Sequence, residues 1–165
     1  MLFPIGLDCK AYYLSTGTRA TWGTADVDGV HEGVAPANLT EITIVRDVTK
    51  SLEKGSVEGG QNRGSTWQLV RGTYKTLQLE VTMSYDTDNA GYLALLNAYL
   101  DNSVIALALL DGAKTVTDVM GLWADFEVLS FSTPEELEGE MVVTVQLRPT
   151  GNTSVLPEMV RVTAS

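Results

Sequence analysis

The sequence has very few residues of the types that build metal centres and covalent cross-links. Cys9 is the only cysteine and His31 the only histidine among 165 residues. One cysteine cannot form an intrachain disulfide, and one histidine cannot supply a multi-histidine metal site. We therefore expect no disulfide, no metal and no cofactor. Cys9 is interpreted as a small buried residue of an early strand, and His31 as a surface-loop residue.

Basic residues are also scarce, with 11 Lys and Arg against 21 Asp and Glu, for a formal net charge of -10. Nonspecific attraction to a phosphate backbone depends on clustered basic side chains. A protein that binds nucleic acid tightly is therefore disfavoured. An acidic wall past which nucleic acid slides without sticking remains compatible with this composition.

Long apolar runs are missing as well. The most apolar stretch, residues 104–112 (VIALALLDG), is much shorter than the roughly 20 residues of a membrane helix. The opening MLFPIGLDCK has no Lys or Arg ahead of its apolar residues, unlike a secretory signal. These features predict a soluble product, made in the cytoplasm, without a membrane partner.

No catalytic or nucleotide-binding motif stands out. The chain has no Gly-x-Ser-x-Gly elbow, no Gly-x-Gly-x-x-Gly turn and no P-loop spacing. Asp86 and Asp88 begin like a calcium-binding loop, but Ala90 occupies the fifth, ligand position and Asn97 the twelfth, where a bidentate Glu belongs, so helix capping explains the aspartates better. Asp125 and Glu127 share a strand face opposite an apolar set, which predicts a wet or subunit-facing position. We predict that the protein is not an enzyme.

Alternation of apolar and polar residues dominates what the sequence does contain. In KTLQLEVTMS (75–84) and GEMVVTVQLRP (139–149), every second residue is apolar, which is typical of strands with one wet face. Further strands are predicted at residues 10–14, 39–49, 65–70, 103–110, 121–132 and 158–164. The sequence therefore predicts a mainly β fold.

One segment has helical spacing instead. The apolar stripe consists of Tyr92, Leu93, Leu96, Tyr99 and Leu100. Asp86 and Asp88 are candidate N-caps and Asn102 is a candidate stop, which predicts one helix over about residues 88–101. We expect a single domain over residues 1–165, built as an antiparallel β-sandwich or barrel with this helix on its flank. Residues 16–38 and the glycine-rich residues 53–66 are predicted to be long flexible loops.

Charge is unevenly distributed along the chain. Six of the 11 basic residues lie between residues 46 and 75, whereas residues 118–140 contain seven acidic residues and no basic one. A basic region and an acidic region on one subunit favour head-to-tail contacts between copies, which generate rings or filaments. The sequence therefore predicts self-assembly.

Three stretches together resemble a known family. They are EITIVRDVTKSLEKGSVEGGQNRG (41–64), LQLEVTMSYDTDNAGYLALLNAYLDN (77–102) and WADFEVLSFSTPEELEGEMVVTVQLRPTG (123–151). Their order of strand, hairpin loop, strand, short helix and final hairpin resembles the major tail tube protein of long-tailed, noncontractile bacteriophages. The resemblance implies a fold similar to type VI secretion tube proteins and stacked hexameric rings around a DNA channel. It also implies a virion location and contacts with tape measure, terminator and distal tail proteins, while DNA passes without specific binding.

The resemblance suggests two groups of contact residues. Many relatives read D-V-T-T-R-x-G around the long loop, and this chain departs from that pattern over residues 56–64. Candidates for contacts between rings are Lys54, Gly55, Val57, Glu58, Gln61, Asn62 and Arg63. Candidates for the channel wall are Glu80, Asp125 and Glu127, which could instead pair with Arg46, Lys50 or Arg71 of a neighbouring subunit. The alternative function is another virion β-sandwich protein, such as a capsid decoration or tail-terminator protein.

Overall fold

The computed structural model describes residues 9–58, 70–133, 139–150 and 155–163. The predicted mainly β fold with one helix is confirmed. The strands are β1 (Lys10–Leu14), β2 (Thr24–Ala25), β3 (His31–Gly33), β4 (Leu39–Glu41), β5 (Val45–Glu58), β6 (Val70–Ser84), β7 (Ile105–Leu110), β8 (Met120–Ser132), β9 (Val142–Pro149) and β10 (Glu158–Val162), and the helix is α1 (Ala90–Leu100).

Strand β8 is the centre of the sheet because it is long enough to have different neighbours along its length. Its first half pairs with β7 and β10, and its second half pairs with β9. One path of the sheet runs β2-β3-β10-β8-β7-β1-β4, and the other runs from β8 through β9 and β6 to β5. Only β3 and β10 pair in parallel among the described strands, and over those residues the sheet does not close into a barrel.

The alternating strands bury the residues that their pattern predicts. Leu79 and Met83 of β6 and Val143, Val145 and Leu147 of β9 are all fully buried in the main core. This core lies on one side of the sheet and is extended by residues of β1, β7, β8 and α1. Because these strands alternate strictly, their opposite side chains form a polar sheet face.

Strand β7 is buried along its whole length, which an alternating pattern would not predict. Its second face is covered by a smaller core that includes Trp22, Trp123 and Val160. Trp22 and Trp123 meet edge to face, with ring centroids 5.7 Å apart. The stretch 16–38, predicted to be a flexible loop, thus contains two short strands and covers one end of the sheet.

The N-cap of helix α1 lies one residue after Asp88, the later of the two predicted caps, and the helix begins at Ala90 rather than at about residue 88. Asn89 is the N-cap, and its side-chain oxygen accepts hydrogen bonds from the backbone nitrogens of Gly91 (2.9 Å) and Tyr92 (3.3 Å). Asp86 instead accepts a hydrogen bond from the backbone nitrogen of Asp88 in the preceding turn. The predicted stop is confirmed, because Asn102 adopts a φ of 50°, which ends a right-handed helix.

The buried face of α1 differs from the predicted stripe. The buried residues are Gly91, Tyr92, Leu95 and Ala98, whereas Leu93, Tyr99 and Leu100 are exposed. Small residues cause this rotation: a Cβ atom at position 91 would lie 2.7 Å from a methyl group of Ile42, so glycine allows close approach. The predicted stripe was wrong because it was based only on large apolar residues and so did not include Gly91 and Ala98.

Two single residues also lie elsewhere than predicted. Cys9 is exposed just before β1, so its interpretation as a buried residue is wrong. His31 lies on β3 rather than in a surface loop, and its Nδ1 atom is buried without a hydrogen-bond partner among the described residues.

The predicted strand 39–49 is two strands, β4 and β5, separated by residues 42–44. Residues 53–58, predicted to begin a flexible loop, continue β5. The part of the chain that the structure describes has no helix with the length and apolar character that spanning a membrane requires.

Candidate functional site

A long two-stranded hairpin extends beyond the body of the sheet. Strand β6 pairs with β9 only from Leu79 to Ser84, whereas its pairing with β5 continues outward to Val70. We call the outer part, residues 51–58 and 70–78, the hairpin arm. At roughly 3.3 Å per residue, residues 51–58 alone extend about 26 Å.

The β5 strand of the hairpin arm has little support from its own subunit, although Leu77 at the base of β6 is buried in the main core. Every side chain from Ser51 to Ser56 is exposed, and Leu52 retains 65% of its accessible surface. Lys54 and Lys75 are directly opposite each other and both exposed, so two positive charges are adjacent without an acidic side chain between them. Isolated two-stranded ribbons are marginally stable, and like charges in cross-strand pairs are unfavourable. The arm therefore has the properties of a surface that needs a partner.

The predicted ring-contact residues lie on this arm or beyond the described residues. Lys54 is on its exposed surface, and Gly55 lies at an irregularity in the strand register. The backbones of Val57 and Glu58 continue the pairing, opposite Arg71 and Val70. Gln61, Asn62 and Arg63 lie outside the described residues.

Two of the three predicted channel-wall residues share the polar sheet face. Glu80 lies opposite Gln146 and accepts a hydrogen bond from its side-chain amide at 3.3 Å. Glu127 lies opposite Arg148, two residues further along β9 on the same face, and accepts a hydrogen bond from the Thr150 hydroxyl at 2.8 Å. Both glutamates are half-buried, so their carboxylates remain accessible on a hydrogen-bonded polar surface.

Asp125 is not on that accessible surface, and the expectation of a wet position for it is wrong. It is only 8% exposed, and its carboxylate accepts a hydrogen bond from Arg19 Nε at 2.9 Å. The polar face ends between Glu127 and Asp125, because the smaller core containing Trp22 begins there.

Arg19 is the centre of a buried polar cluster that the sequence did not predict. Its guanidinium donates to the backbone carbonyls of Val155, Trp123 and Leu156, the last at 3.0 Å, and lies 3.8 Å from Glu158. Glu158 in turn accepts a hydrogen bond from the backbone nitrogen of Trp22. The cluster fastens the 16–38 stretch to β8 and to the segment before β10.

Two basic residues considered as partners for a neighbouring subunit have partners in their own chain. Arg46 pairs with Glu140, and Lys50 lies 3.7 Å from Asp111. The hydrogen bond from Arg46 is the main reason that the pKa of Glu140 lies below its ordinary value, and the Ser84 hydroxyl lowers it further. These contacts fix the start of β5 against the rest of the subunit.

The described residues contain no group of three His, Cys, Asp or Glu side chains that could hold a metal ion. A groove beside Pro36 and Thr163 includes Lys114, but the Lys114 amine donates to the backbone carbonyl of Leu39 at 2.6 Å. Within the part of the chain that the structure describes, the distinguishing features are the hairpin arm and the polar sheet face.

Solved structures with a similar fold come from tail and baseplate assemblies. The chain is similar to the SPP1 tail tube over 94% of its own length and 77% of that chain, at 15% identity and a TM-score of 0.63. It is similar to the tail of an empty gene transfer agent particle, described with C6 symmetry, over 92% and 98%, at 13% identity and a TM-score of 0.61. The anti-feeding prophage baseplate matches over 92% and 89%, at 8% identity and a TM-score of 0.55.

No protein-family model matches the sequence, and no curated protein matches it either. At these low identities the likeness is one of fold. The chain has the fold of tail tube proteins, as the sequence resemblance implied.

Proposed function

We propose that this chain is a structural subunit of a bacteriophage tail tube, which assembles into stacked six-membered rings around a channel for viral DNA. The ring number follows the C6 symmetry of the similar gene transfer agent tail. In this role the protein is a single non-catalytic domain located in the virion. Its partners are further copies of itself and other tail proteins, such as the tape measure, terminator and distal tail proteins.

The hairpin arm is the observation that carries this proposal. An arm with exposed strands, an exposed leucine and two opposed lysines is costly for a free subunit, because it offers little buried surface in return for its ordering. Contact with the next ring would supply that surface. The loop predicted to join rings therefore begins as a paired hairpin, and Lys54 lies on that hairpin.

The polar sheet face is the second observation in favour of the proposed DNA channel. Glu80 and Glu127 project from two strands of this face, and Arg148 is the basic residue placed opposite Glu127. A half-buried acidic face repels phosphate and so favours passage over binding. We assign Glu80 and Glu127 to the channel wall and remove Asp125 from it, because Arg19 neutralises Asp125 inside the subunit.

Shortening the hairpin arm tests the proposal. Replacing residues 53–76 with a two-residue Asn-Gly turn closes the hairpin at the Leu52–Leu77 pair and leaves the main core intact. We expect a folded subunit with a thermal midpoint close to wild type that no longer forms tubes. Tubes of normal length from the shortened protein would contradict a stacking role for the arm. If the wild-type and the shortened protein both form only single rings, the result would instead support the capsid decoration or tail-terminator alternative.

A further inference from the structure

The solvent side of helix α1 is unusually apolar. No residue of α1 is charged, and its outer face consists of Ala90, Leu93, Asn97 and Leu100, all exposed. Leu93 is 40% exposed and Leu100 64% exposed. A surface helix normally carries charged residues opposite its core side, and a helix that is apolar all round is usually buried. This outer face therefore has the composition of a covered surface.

The charged residues next to this helix in the sequence are all negative. Asp86 and Asp88 precede the helix and Asp101 follows it, and all three are exposed. The sequence from Tyr85 to Val104 contains no basic residue. A partner that covers the helix face should consequently combine apolar and basic side chains.

The hairpin arm has that combination on one side. Lys50 and Leu52 point to the same side of β5 as Lys54, and this side continues the core-facing side of the sheet beyond the body. Lys75 of β6 lies opposite Lys54 on the same side. The inner side of the arm thus exposes Leu52 and, beside it, the adjacent residues Lys54 and Lys75.

The arm and the helix lie towards opposite ends of the subunit. Strand β6 starts in the arm at Val70, and its last residue, Ser84, is followed directly by Tyr85, whose ring contacts Tyr92 of α1 at 5.6 Å between centroids. Lys75 in the arm and Ser84 are nine residues apart on β6, which at about 3.3 Å per residue is about 30 Å. Surfaces at opposite ends of one molecule can meet only between different copies in a head-to-tail arrangement.

We propose that the outer face of α1 is the docking surface for the inner side of the hairpin arm of a second copy of this chain. Leu52 packs against Leu93 and Leu100, while Lys54 and Lys75 face Asp88 and Asp101. This inference rests on the proposed self-assembly and specifies which surfaces make the contact between stacked subunits. The contact also gives the two adjacent lysines acidic partners in the assembly.

Disulfide cross-linking between two differently substituted proteins tests the contact, with Cys9→Ser as the background because Cys9 is exposed. One protein carries Leu52→Cys and the other carries Leu93→Cys, and the two are mixed, assembled and oxidised. We expect a dimer band at least tenfold stronger than with the matched control Glu53→Cys, which lies on the opposite side of the arm. Equal bands, or none from the Leu52 pair, would overturn the inference. A dominant Leu93–Leu93 product would also overturn it, by showing helix-to-helix contact.

Charge reversal provides a second test that does not depend on a new covalent bond. The Lys54→Glu, Lys75→Glu variant should lose tube formation, and combining it with Asp88→Lys, Asp101→Lys should restore it. Failure of this rescue while each variant remains folded would count against the contact. If wild-type protein forms tubes but neither test succeeds, only this inference falls; if wild-type protein never assembles, the proposed function falls with it.

Discussion

Arg19 is the single side chain on which most of the buried polar structure depends. Its guanidinium contacts Asp125 and Glu158 and lies 5.7 Å from the ring centre of Trp123. A buried ion pair contributes little over an apolar substitute, but removal of one partner leaves the other charge buried and uncompensated. The role of Arg19 is therefore to make the burial of two carboxylates possible.

The Arg19→Ala variant should lose about 3 to 5 kcal/mol of unfolding free energy, because Asp125 and Glu158 would remain buried without their cation. Urea denaturation measures this loss. The matched control is Arg161→Ala, which removes a partly exposed arginine paired with Glu32 and Asp28 and should cost less than about 1 kcal/mol. Equal effects of the two substitutions would show that the Arg19 cluster is not buried as described.

The Arg46–Glu140 pair should give a measurable pH dependence. Because the hydrogen bond from Arg46 lowers the pKa of Glu140, its contribution to stability is present above the ordinary pKa of 4.5 and is lost as pH falls through the lower folded value. In the Arg46→Gln variant, the pKa of Glu140 should rise. Carboxyl titration by NMR checks this, and an unchanged pKa would mean that the pair does not form in solution.

At the scale of elements, α1 shows what sequence periodicity can and cannot determine. The existence, approximate length and stop of the helix were predicted correctly from apolar spacing and Asn102. The prediction of which face is buried was wrong, because it used only large apolar residues. It therefore did not include Gly91 and Ala98, whose small size allows close packing. Buried position is thus decided by packing as well as by hydrophobicity.

The helix faces can be separated by two leucine substitutions. Leu95→Ala should cost about 2 to 5 kcal/mol, because Leu95 is fully buried in the main core. Leu93→Ala should change the stability of the free subunit by less than about 0.5 kcal/mol, because its side chain is exposed. Thermal or urea unfolding of both variants checks the rotation of the helix, and a larger effect at Leu93 would favour the stripe predicted from sequence.

For the strands, too, some features follow from the sequence pattern and others depend on packing. Strand β9 and the inner part of β6 match the prediction because alternation is strong where one face is wet, whereas β6 begins at Val70, five residues before the predicted start. The burial of Asp125 could not be predicted, because strand periodicity places it with Glu127 and the covering residues Arg19 and Trp22 are about a hundred positions away in the sequence. The wet or covered state of a sheet face depends on such distant segments.

At the scale of the whole molecule, the polar sheet face can be tested as a channel wall. Glu127→Lys should leave tubes intact and slow DNA passage, because it would place a ring of phosphate-attracting groups along the channel. The measurement is the rate of DNA ejection through tails assembled from variant subunits, compared with tails assembled from wild-type subunits. Loss of tubes, restored by reversing a basic partner, would instead place Glu127 at a subunit contact. Intact tubes with normal ejection would place it on the outside.

The stacking, channel and docking predictions all depend on one property, namely that the subunit assembles with itself into a tube. Negative-stain electron microscopy of the purified full-length chain over a range of concentrations tests this most directly. We expect tubes with a stain-filled central channel and end views with sixfold symmetry, in keeping with the symmetry of the similar tail. Uniform single particles without rings or tubes at every concentration would contradict the account.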